Sequence, residues 1–84
     1  MNKLLNISEL SKTLNFIDPN PKKPLNHIIR FWEKQFKQIS PKKINNRRYY
    51  SLDQVEMIKM IKFLLNQKRM TISGVKNVLN SKIN

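Results

Sequence analysis

The chain has no cysteine, which excludes disulfide staples, thiolate zinc sites and thiol redox chemistry from it. Its one histidine, His27, cannot make a metal site that needs two imidazoles. Acids are scarce too: Glu9, Asp18, Glu33, Asp53 and Glu56 are too few and too scattered for a hydrolytic pair or an oxygen-ligand cage. No residue stands in a credible nucleophile–base pair, so the chain reads as non-enzymatic, with no cofactor and no metal. No apolar run exceeds three residues, far short of the roughly 20 that span a bilayer. The opening Met1–Leu5 carries a charge but no apolar stretch of signal-peptide length. Together these absences predict a cytoplasmic chain with no membrane contact, and 84 residues hold a single domain at most.

What is present is positive charge. Seventeen Lys and Arg against five acids give +12, which points to a polyanion as partner. Part of that excess is compositional. Asn, Lys and Ile supply 34 of the 84 residues and Ala is absent, a bias expected of an AT-rich coding sequence. The distribution is therefore the better signal. Nine basic residues and one acid lie between Lys22 and Arg48, while the other 57 residues hold eight and four.

Three helix starts are marked by caps. Asn6 stands three before Glu9 with Leu5 and Leu10 as a hydrophobic staple, and Ser51 stands three before Gln54 with Tyr50 and Val55 in the same places. Thr71, between Met70 and Val75, is a third cap. These predict helices over about 7–14, 52–67 and 72–81, each with apolar residues at helical spacing. A fourth, over about 25–37, has no strong cap. Leu25, Ile28, Ile29, Trp32 and Phe36 form its apolar stripe, while His27, Arg30, Lys34 and Lys37 fall on another face; Phe31 lies between the two and suits either. Three of the four prolines fall in Asp18–Pro24, which predicts a stiff basic loop. Asn45-Asn46, between Lys42-Lys43-Ile44 and Arg47-Arg48-Tyr49-Tyr50, fits a two-residue hairpin turn, since Asn tolerates positive φ. Pro41 would hold its strand to an edge.

A helix pair followed by a basic hairpin has the parts of a winged helix-turn-helix: mainly α, four helices, with a two-stranded β-hairpin wing over about 39–51. In that arrangement the second helix enters the major groove of double-stranded DNA and the wing straddles the backbone. Lys and Arg gain affinity there through counterion release, tyrosines help to position the protein on phosphates, and few residues read bases.

Ile7-Ser8-Glu9-Leu10-Ser11-Lys12-Thr13-Leu14, Ile29-Arg30-Phe31-Trp32-Glu33, Arg47-Arg48-Tyr49-Tyr50-Ser51 and Met70-Thr71-Ile72-Ser73-Gly74-Val75-Lys76 closely resemble the DNA-binding domain of MerR-type transcription regulators. The resemblance runs from about Asn6 to Leu79. It implies a bacterial, nucleoid-associated regulator in which Asn26, His27 and Arg30 face the operator. Arg48 and Tyr50 match the wing's Arg-x-Tyr element, which grips phosphates, and Lys42, Lys43 and Arg47 extend that grip. With Lys34 and Tyr49 these residues complete the expected DNA-binding set. Two departures stand out. The family usually has a short turn where this chain has Asp18–Pro24, whose Lys22 and Lys23 offer a further backbone contact. Family members also form a homodimer through a long helix that these 84 residues do not include.

Each feature also has a plainer role. Trp32 and Phe36 suit a core better than base stacking, and Tyr50 a buried ring with its hydroxyl at the surface. Glu33 suits a structural ion pair. His27 is either a solvated or capping residue or a base contact. Lys59, Lys62, Lys76 and Lys82 read as solvated positions, and Met57, Met60 and Met70 as flexible core or a face for a missing segment. Two other functions fit the same residues: a small architectural or excisionase-like DNA-bending protein, or a basic protein-interaction module.

Overall fold

The computed structural model describes residues 3–20 and 22–81. In chain order these form β1 (Leu4–Asn6), α1 (Ile7–Thr13), β2 (Ile17–Pro19), β3 (Lys22–Pro24), α2 (Asn26–Gln35), β4 (Lys42–Ile44), β5 (Arg47–Ser51), α3 (Leu52–Lys62) and α4 (Ile72–Ser81); a wide π turn, Phe63–Gln67, prolongs α3. The expectations for Met1, Asn2, Pro21 and Lys82 lie outside the described residues.

Five strands in two antiparallel sheets overturn the expected mainly α, four-helix winged helix-turn-helix with a two-stranded wing. The larger sheet has the order β1-β5-β4. Leu4 pairs with Ser51, Leu5 with Tyr50 and Asn6 with Tyr49. Three residues are too few for alternation to show, and the partner strand lies two helices further on, so β1 leaves no local trace. In the smaller sheet Ile17 pairs with Pro24, Asp18 with Lys23 and Pro19 with Lys22. The proline run that predicts a loop thus builds a hairpin. Proline's fixed φ suits extended backbone, and a two-stranded ladder is all edge, where a missing N–H is tolerated.

The caps hold the helices where the sequence places them. Asn6 Oδ1 accepts the Glu9 N–H at 2.8 Å while Glu9 Oε1 accepts the Asn6 N–H at 2.9 Å, a closed capping box. Ser51 Oγ accepts the Gln54 N–H at 3.2 Å, but the Gln54 amide turns elsewhere. Its Oε1 accepts the Ser40 N–H at 2.8 Å and its Nε2 donates to the Gln38 carbonyl at 3.0 Å, pinning the segment between α2 and β4. Thr71 Oγ1 accepts the Gly74 N–H at 3.0 Å. α2 begins at Leu25 without a side-chain cap and ends as Phe36 turns extended.

The core gathers Leu10 from α1 and Leu14 just past its end, Ile29 and Trp32 from α2, Phe36 and Ile39 beyond it, and Tyr50 from β5. Val55, Ile58 and Ile61 from α3 and Val75 and Leu79 from α4 close it. Met57, Met60 and Met70 pack half-buried against this cluster. Phe16 meets Trp32 edge-on, 5.4 Å between ring centres, which fastens the base of the β2–β3 hairpin to α2. Lys62 is not the solvated position expected of it. Its Nζ donates to the Leu14 carbonyl and lies 5.1 Å over the Phe16 ring, a cation at the C-terminal end of α1.

Candidate nucleic-acid interface

α2 buries Ile29 and Trp32 and turns His27, Arg30 and Lys34 outward, all exposed, one helical turn apart. The start of this helix is fixed by Asn26. Ser11 Oγ donates to its Oδ1 at 2.7 Å, and its Nδ2 donates to Ser8 Oγ at 3.1 Å. Ser11 is wholly buried. Asn26, read from the sequence as facing a partner, is therefore built into the joint between α1 and α2. A small polar residue within the Ile7–Leu10–Leu14 stripe was the available sign that Ser11 needs an inward partner.

The β4–β5 hairpin turns at Asn45 (φ 51°) and Asn46 (φ 64°), both left-handed, which is what a type I′ turn requires. Ile44 pairs with Arg47, Lys43 with Arg48 and Lys42 with Tyr49. Opposed residues share a face, so the cationic groups divide. Lys43 and Arg48 lie on the face that Tyr50 shares, whereas Lys42 and Tyr49 lie on the other with Asn6. Lys42, Lys43 and Arg47 are exposed; Arg48 and Tyr49 are half-buried.

Tyr50 is fully buried, and its hydroxyl, expected at the surface, is buried as well with no hydrogen-bond partner among the described residues. Burial first and the Glu33 carboxylate second push its pKa up to about 12, against an opposing pull from Arg48 and Arg30. A neutral phenol enclosed in this way supports the surface from beneath.

Arg48 joins hairpin to helix: its Nε donates to Glu33 Oε1 at 2.8 Å, the ion-pair role anticipated for Glu33. That hydrogen bond is the main reason the guanidinium pKa stands above its ordinary value. Around this bridge the arginines converge. Arg30, Arg47 and Arg48 line one shallow cleft of about 250 Å³ with Asn46 and with Asn6, Ile7 and Ser8 from the start of α1. An adjoining depression of about 420 Å³ is lined by His27, Arg30, Phe31, Glu33, Lys34 and Arg48. Arg30 and Arg48 belong to both, so the two make one basic surface. Lys42 and Tyr49 line a separate depression with Asp53 and Gln54, to which Arg30 does not contribute. Asn6, Ile7, Ser8 and Asn46 are absent from the sequence-based set, because only the folded sheet brings them to the arginines.

Chemically this surface offers guanidinium, imidazole and ammonium donors to an anion. Among the described residues no cluster of three His, Cys, Asp or Glu could hold a metal ion, and no helix is long and apolar enough to cross a membrane. Residues 5–82 match the family model described as MerR HTH family regulatory protein. Searches of curated proteins and of solved structures found no match.

Proposed function

Because the chain belongs to the MerR HTH family of regulatory proteins, a family of DNA-binding transcription regulators, we propose that it recognises a particular sequence in double-stranded DNA. In this reading α2 lies in the major groove, where His27, Arg30 and Lys34 meet base edges and nearby phosphates. The β4–β5 hairpin grips the backbone with Lys42, Lys43, Arg47, Arg48 and Tyr49, its two charged faces set against successive phosphates. Asn26 and Tyr50 hold this surface in shape from within. The observation that carries the reading is the convergence of Arg30, Arg47 and Arg48 on one cleft beside the start of α1.

Selection and sequencing of DNA fragments retained by the purified chain at near-physiological salt tests it. An enriched motif is expected. Arg30→Ala should weaken binding to that motif by about 1–3 kcal/mol and relax one position of it. An inverted repeat would identify a dimer on two half-sites, whereas binding without any preferred sequence would overturn sequence recognition.

A further inference from the structure

Phe31 has no part in the core that the rest of the α2 stripe builds. It is 49% exposed, and it lines the depression shared by His27, Arg30, Lys34 and the Arg48–Glu33 pair. Residues three and four apart on a helix are surface neighbours, so Phe31 stands between His27, four before it, and Lys34, three after it. An apolar protein surface is a poor match for this ring, because covering it would also strip water from Arg30 and Lys34 without supplying counter-charge. A duplex supplies both needs, phosphates for the cations and an apolar group for the ring.

Resting on the reading above, we propose that Phe31 is a specificity-determining residue that recognises thymine by packing its ring against the C5-methyl group in the major groove. Phenylalanine has no donor or acceptor, so it cannot read the polar edges of the bases. Of the groups presented in the major groove, the thymine methyl is the apolar one. Arg30 and Lys34 hold the helix in the groove while the ring distinguishes T·A from the other pairs at a position of its own.

The test uses the fragment that the chain itself selects. Each thymine in the motif is replaced in turn by deoxyuracil, which removes the methyl and leaves the pairing unchanged. At one thymine of each recognition element affinity should fall about fourfold, the effect of one buried methyl. Phe31→Ala should bind the thymine and uracil fragments equally and lose preference at that position, while Phe31→Leu should keep part of the discrimination. Because the ring is exposed, both variants should melt like the parent. The inference is overturned if no thymine is sensitive to the replacement, or if Phe31→Ala keeps the fourfold difference. Either result, with Arg30-dependent binding to the motif intact, leaves the DNA-binding reading standing. Failure to select any sequence removes both.

Discussion

Asn26 sits in the most basic part of the chain and Tyr50 two residues beyond its end, and both are used inside the protein. Each can be tested at the level of one side chain, and Tyr50 gives the sharper result. A buried hydroxyl left without a partner costs about 1–3 kcal/mol, so Tyr50→Phe should leave stability equal or raise it by up to that amount, measured by urea unfolding. A second reading comes from pH. The folded pKa, near 12, lies above the ordinary value of 10.0, so the native state holds the phenolic proton more tightly than the unfolded chain. That contribution is complete below about pH 10 and is lost as pH rises toward 12. The unfolding midpoint of the parent should therefore drop faster than that of Tyr50→Phe across this window. Parallel curves would mean that the phenol is not enclosed.

Among the elements, the β4–β5 hairpin depends most on two residues. Asn46 sits at φ 64°, where a β-branched side chain is strained. Asn46→Val should destabilise the chain by about 1–2 kcal/mol in thermal or urea melts, whereas Asn46→Gly, the preferred type I′ residue, should be neutral or slightly stabilising. This turn was legible in the sequence because its cause is local: two adjacent asparagines that accept positive φ. The caps at Asn6, Ser51 and Thr71 were legible for the same reason, each lying three residues from the N–H it receives. The strands that carry no sequence signal have non-local causes. Leu4 and Leu5 become a strand only against Ser51 and Tyr50, and the prolines of β2–β3 signal an interrupted helix without saying what replaces it. Asn26 is a mixed case: its position on α2 was visible, but its bonds to Ser8 and Ser11 required α1 to be folded beside it. Helical spacing alone puts Phe31 on the border between the two faces, and only the folded chain shows which it joins.

Over the whole molecule, +12 on 84 residues acts in two opposite directions. Repulsion among the cations strains the compact state, while the same charges attract a polyanion. Raising salt from about 10 to 150 mM, across which screening shortens from roughly 30 to 8 Å, should raise the melting temperature of the free chain and weaken its hold on DNA together. Calorimetric melts and binding isotherms over one salt series check both. A melting temperature that falls with salt would show that the ion pairs Arg48–Glu33 and Lys59–Glu56 outweigh the net repulsion.

Asn6 is both the last residue of β1 and the cap of α1, and Ser51 is both the last residue of β5 and the cap of α3. The two strands are paired, so one sheet launches both helices, and the Arg48–Glu33 bridge locks the hairpin to α2. The distance between the hairpin and α2 is thereby set before any partner arrives, like the gap of a calliper whose jaws are pinned. Such an instrument measures rather than adapts. If the chain reads DNA as proposed, a duplex whose groove-to-backbone spacing differs from that gap would have to bend or twist to be held, and the ease with which a sequence deforms would become part of what is selected.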